Sequence, residues 1–165
     1  MKTNIKGLIK LSTVIGVFDD KGQAENAVNE IRNAGITEDR ISIVGKEDRF
    51  EDDAGMRDQN LMRGTSTGGA LGGLAGLLAG AGALTIPGIG PILAVGPLAA
   101  GLTGVAAGGL AGGLVDLGIP GDRGDYYENE VKKGGILGVV KTEGNSVEDI
   151  SSYMRNNGAK DVESH

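Results

Sequence analysis

Carboxylates crowd the stretch between Lys46 and Met62, with Glu47, Asp48, Glu51, Asp52 and Asp53 in its first half. Carboxylate oxygens are the ligands that hard cations such as calcium take, so cation binding is the chemistry to weigh first. The EF-hand spacing is absent, because neither its turn glycine nor its terminal glutamate lines up. The stretch therefore reads as a solvated linker. The single histidine, His165, is the last residue and reads as a tail residue rather than a general base. There is no cysteine, which removes disulfides, thiolate catalysis and most structural zinc sites. No Gly-x-Ser-x-Gly elbow and no phosphate loop ending in Gly-Lys-Ser/Thr occurs. Tyr126 and Tyr127 read as packing side chains. These residues specify no catalytic centre, no cofactor and no metal site, and the chain is expected not to be an enzyme.

The strongest pattern is made by glycine, of which the chain has 31. Gly68, Gly72, Gly76 and Gly80 recur every four residues, and Gly104, Gly108 and Gly112 repeat that spacing. Positions four apart share one face of a helix, so these glycines would form two flat strips along which another backbone can approach closely. Between the strips, Pro87, Gly88, Gly90 and Pro91 supply a reversal. The expectation is a glycine-zipper helical hairpin over residues 64–116. Glycine costs about 1 kcal/mol relative to alanine inside a helix. The hairpin therefore needs a compensating environment, either another copy of itself or lipid. Both remain open, as does disorder. Ala/Gly-rich arms, an uncharged tip and the lack of an aromatic belt all restrain the membrane reading.

Charge divides the chain. All 16 basic and 22 acidic residues lie outside Gly64–Val115. The net charge of −6 argues against nucleic acid as a partner, since phosphates need clustered Lys and Arg. The expected partner is the chain itself, with membrane lipid as the alternative. The lack of cysteine fits a reducing cytoplasm, the expected location, with membrane association again the alternative. Near the start, Lys2, Lys6 and Lys10 precede Leu11-Ser12-Thr13-Val14-Ile15-Gly16-Val17-Phe18. That run is short, contains two hydroxyls and lacks a small-x-small cleavage site, so it reads as a strand rather than an export signal.

The elements on either side of the uncharged insert follow one plan. Thr13–Phe18, rich in β-branched residues, predicts a buried strand. Asp19 and Asp20 supply N-cap chemistry for a helix whose Ala24, Ala27, Val28 and Ile31 share one face. Gly35 closes it, and Ile41–Val44 is a second strand, so residues 13–45 form one β-α-β half. A charged linker covers 46–63. Residues 117–165 hold a helix and a second half: a strand at Gly135–Val140, a helix capped by Ser146 with Val147, Ile150 and Met154 on its apolar face, and a short strand at Lys160–Val162. Val14–Val17 matches Ile136–Val139, and Ile31–Gly35 matches Met154–Gly158. The fold expected is α+β, a ferredoxin-like split β-α-β sandwich with an inserted glycine-rich helical hairpin.

After the insert come Leu117-Gly118-Ile119-Pro120-Gly121-Asp122-Arg123-Gly124-Asp125-Tyr126-Tyr127-Glu128 and Val131-Lys132-Lys133-Gly134-Gly135-Ile136-Leu137. This succession resembles the bacterial general stress protein (heat-induced stress protein) family. There a Leu-Gly-Ile-Pro turn, an acidic helix with a Tyr-Tyr pair and a basic-Gly-Gly junction into a strand follow a glycine-rich hairpin. Gly121 and Gly124 depart from the family's acidic or helix-favouring residues at the start of that helix. The resemblance implies a stress-response role without an established biochemical activity, and it carries over no catalytic residue. The function expected is that of a non-enzymatic stress protein that self-associates through its glycine-zipper hairpins. The alternative is a hairpin protein acting at the bilayer.

Overall fold

The computed structural model describes residues 10–50, 82–86, 88–103 and 109–165. The fold is α+β: the described residues form six antiparallel strands in one sheet, with helices on both faces. The strands are β1 (Leu11–Phe18), β2 (Ile41–Lys46), β3 (Gly82–Ile86), β4 (Gly90–Val95), β5 (Ile136–Glu143) and β6 (Lys160–Ser164), in the spatial order β3-β4-β2-β5-β1-β6. The helices are α1 (Lys21–Asn33), α2 (Pro97–Thr103), α3 (Gly109–Asp116), α4 (Gly121–Lys132) and α5 (Val147–Asn156).

The two flanks form the centre of the sheet much as their sequence demands. The Asp20 side chain accepts from the Gln23 N–H at 3.0 Å and starts α1. The helix buries Ala24, Ala27, Val28 and Ile31, and Gly35 leaves it at φ 98°. α5 differs at its start. Ser146 belongs to a 3-10 turn over Gly144–Ser146 and makes no side-chain cap, so the serine-cap expectation is corrected. The turn supplies the helix entry in its place.

Alternate residues along each strand enter two separate cores. Val14 and Phe18 of β1, Ile41 and Ile43 of β2, and Ile136 and Val140 of β5 pack beneath α1 and α5. Ile15 and Val17, Val44, and Leu137 and Val139 turn to the other face, beneath α2, α3 and α4. Burial on both faces is why these strands read as unbroken apolar runs rather than as alternating ones. In the first core the matched glycines of the two halves face each other, Gly16 opposite Gly138. A Cβ on Gly138 would lie 2.9 Å from the Phe18 ring, and one on Gly16 would lie 3.2 Å from Val162. The pair opens the space that Phe18, Met154 and Val162 fill.

The insert departs most from expectation. Residues 82–86 and 90–95 are not the end of one helical arm and the beginning of another but paired strands, β3 and β4, laid along β2. Lys46 to Ile43 of β2 pair with Ile92 to Val95. Thr85, Ile86, Ile89, Ile92 and Val95 are β-branched and suit a pleated sheet better than a helix. Strand pairing also satisfies the edge of β2 that a helix would leave bare. α2 and α3, 7 and 8 residues long, follow the hairpin, and residues 104–108 between them lie outside the described residues. The rest of the first arm lies outside the described residues. The charged linker is corrected at its start too: Glu47–Arg49 form a 3-10 turn, and Phe50 is buried in the first core against Gly45.

Candidate functional site

Of the glycines expected to form packing strips, only Gly112 falls among the described residues, partly buried on α3. Gly68, Gly72, Gly76, Gly80, Gly104 and Gly108 lie outside them, as does Pro87 of the expected reversal. Gly88 lies between β3 and β4 and Gly90 opens β4, at φ 84° and 93°. Pro91 stands in β4 opposite Thr85.

Close backbone approach through glycine does occur, inside the chain and at neighbouring positions. A Cβ on Gly113 of α3 would sit 2.8 Å from Leu102 of α2, and one on Gly124 of α4 would sit 3.1 Å from the Ala111 carbonyl oxygen of α3. Gly124, one of the two departures from the family pattern, is thus where α4 crosses α3. The other, Gly121, is the first residue of the helix, behind Pro120. Glu128 of α4 accepts from the Ala111 N–H at 2.9 Å, meeting a backbone donor in the first turn of α3. The buried Ser42 hydroxyl of β2 accepts from the Leu98 N–H of α2 at 3.1 Å. The first turns of α2 and α3 are therefore met by side chains distant in sequence.

Among the described residues, a dense gathering of polar and aromatic side chains joins α4 to β6. Arg123, Tyr126 and Tyr127 stand at i, i+3 and i+4 and so share the helix face that meets the strand. The Tyr127 hydroxyl donates to the Asp161 carbonyl at 2.8 Å, and the Tyr126 hydroxyl donates to the Asp161 carboxylate. Arg123 engages Glu163 through two nitrogens, Nε at 2.9 Å. Its guanidinium lies 4.5 Å from the Tyr126 ring centre and 5.3 Å from that of Tyr127, and the two rings meet edge to face. His165 Nε2 is 3.1 Å from Glu163. His165 is no loose tail, because its backbone pairs with Thr13 in both directions. The Thr13 hydroxyl in turn donates to the Leu117 carbonyl at 2.6 Å.

Electrostatics follow from these contacts. The hydrogen bond to the Asp161 carboxylate, with burial second, pushes the Tyr126 phenol up to about 12. Burial chiefly raises the Tyr127 phenol. The Glu163 hydrogen bond raises the Arg123 guanidinium against the pull of burial. Burial works against the Glu163 carboxylate, yet the Arg123 and His165 hydrogen bonds outweigh it and hold the group below its usual range. Each polar group of the cluster meets another group of the cluster or the backbone beside it. The guanidinium fork is taken by Glu163, so an outside carboxylate or phosphate would have to displace that partner. Chemically the arrangement is a clasp on the C-terminal strand. Sequence reasoning marked the tyrosines as packing residues but missed their partners, which lie 34 to 40 positions away. The helical spacing of Arg123 with the Tyr pair was the available signal.

Among the described residues no group of His, Cys, Asp and Glu could hold a metal ion. No helix among them is long and apolar enough to cross a membrane. Glu51, Asp52 and Asp53 lie outside them.

Residues 13–86 match the family model of the heat induced stress protein YflT domain. This bears out the resemblance to the general stress protein family and supports a stress-response role. The matched residues run from β1 through β3. They stop short of Gly118–Leu137, the stretch on which the resemblance is most specific. Curated proteins and solved structures give no match to the chain.

Proposed function

We propose that this is a non-enzymatic stress-response protein that works by associating with copies of itself through its uncharged insert. The observation that carries the reading is where the uncharged residues go. Every charge lies outside Gly64–Val115, and the described part of that segment forms β3 and β4 at one end of the sheet and α2 and most of α3 on one face. A strand at the end of a sheet without charges is the kind of surface that recruits another chain. Gly113 and Gly124 support the wider idea that small residues in this chain serve close helix approach. The glycine strips at Gly68–Gly80 and Gly104–Gly112 are proposed to serve it between copies. The strand order β2-β5-β1-β6, with α1 and α5 on one face, supports reading the flanks as a ferredoxin-like sandwich of two β-α-β halves.

Size-exclusion chromatography with light scattering, without detergent, tests the reading on the wild type and on Gly72→Leu/Gly76→Leu. An oligomer that the double substitution weakens is the expected result. A wild-type monomer that floats with liposomes would overturn it in favour of action at the bilayer.

A further inference from the structure

The two edges of the sheet are chemically unlike. β6, at one end, is Lys160-Asp161-Val162-Glu163-Ser164, with three charged side chains. Its pairing with β1 shifts register between Ile15 and Val17, and Asp161 stands at φ 50°. Charge and irregular pairing are the means by which proteins keep an edge from recruiting a further strand. β3, at the other end, is Gly82-Ala83-Leu84-Thr85-Ile86. It has no charge and no proline, keeps regular register with β4 along its whole length, and exposes Ala83 and Thr85. Among the described residues no strand pairs with its outer side.

We propose that β3 is a self-recognition edge, which pairs antiparallel with β3 of a second copy about a two-fold axis at Leu84 and joins the two sheets into one. A second copy fits this edge for two reasons. A five-residue strand paired with itself about its centre sets Leu84 against Leu84, Ala83 against Thr85 and Gly82 against Ile86. No like charges meet, whereas β6 in the same role would bring charged side chains together. Leu84 and Ile86 also alternate onto the face of the second core. Ile86 is buried there, while Leu84 is only partly buried at the core's outer end. The two-fold contact covers each Leu84 with the other and carries the core across the axis. The proposal rests on the self-association reading and assigns it to one strand. So short an edge buries less than a standard interface, which places the association in the weak, concentration-dependent class.

Sedimentation velocity on the full chain, from micromolar to submillimolar concentration, tests it. The wild type is expected to pass from monomer to dimer. Ala83→Lys/Thr85→Lys and Ala83→Glu/Thr85→Glu, both at exposed positions, are each expected to raise the midpoint at least about tenfold by placing like charges across the axis. Mixing the two variants is expected to restore the dimer, because Lys then faces Glu. Circular dichroism establishes that each variant is folded; should one unfold, the other decides in the same assay. A wild type that stays monomeric overturns the self-association reading and the edge with it. An associating wild type whose charged variants associate equally well overturns the edge alone, as does a mixture no more dimeric than its components.

Discussion

Tyr126 and Tyr127 are adjacent in sequence, yet the first keeps part of its ring in solvent and the second is fully buried. Both phenols are held protonated in the fold, and this fixes the sign of their linkage to pH. Each binds its proton more tightly folded than unfolded, so the stability it contributes is complete below its ordinary value of 10 and is lost above it. For Tyr126 the loss falls between pH 10 and about 12. Alkaline titration of phenolate absorbance should show one group delayed to about 12, and Tyr126→Phe should remove it. Glu163 works in the opposite sense. Its depressed value gives stability that is present above its ordinary 4.5 and lost as pH falls through the folded value. Acid unfolding of Glu163→Gln should accordingly be less steep at that limb. Among the described glycines, Gly96 has the closest contact that a Cβ would meet. It stands at φ 81°, and a Cβ would lie 2.0 Å from the Ile41 carbonyl oxygen. Gly96→Ala should cost roughly 2–4 kcal/mol in urea denaturation, against about 1 kcal/mol for Gly35→Ala, where φ is also positive but the space is open.

At the scale of elements, what the sequence reveals depends on how far apart the deciding residues lie. α1 carries its own cap at Asp20, its own stripe and its own stop at Gly35, all within sixteen positions, and it was legible throughout. β3 and β4 were not. Their glycines and alanines suit a helical strip as well as a strand. The choice is made by the open edge of β2, reached from β4 only after the residues between Lys46 and Gly82. α2 and α3 depend on remote groups in the same way, α2 on Ser42 and α3 on Glu128. The Arg123 clasp was half legible, since its helical face could be read from spacing but its strand partners could not. The dependence of α2 is testable. Ser42→Ala removes the side chain that accepts from the Leu98 N–H and leaves that donor buried, at a cost of about 1–2 kcal/mol. Hydrogen exchange should quicken in α2 more than in α1 or α5, which touch the other face of the sheet. Equal quickening everywhere would mean that Ser42 supports the sheet rather than the helix.

For the whole molecule, the contrast between the two edges decides how the protein meets its neighbours. β1 is among the most apolar strands of the sheet, and among the described residues β6 alone stands between it and the edge on that side. β6 contributes little core of its own, with Val162 alone among its residues packed on the first core and that only in part. Its place is secured from outside the sheet by Arg123, Tyr126 and Tyr127, and by the His165 backbone on Thr13. The clasp on α4 thus protects an edge as well as adding stability, and removing the strand should do more than removing its contacts. Deleting residues 160–165 should cost roughly 3–5 kcal/mol. It should also expose β1 as a long, flat apolar edge and produce aggregates whose light scattering grows with concentration. Arg123→Ala with Tyr127→Phe, which loosens the clasp but leaves the charged strand in the chain, should lower the melting temperature with far less scattering. If the truncated chain stays monodisperse at the concentrations where the double variant does, β6 is held for stability alone, and the charges on it are not what keeps that side of the sheet closed.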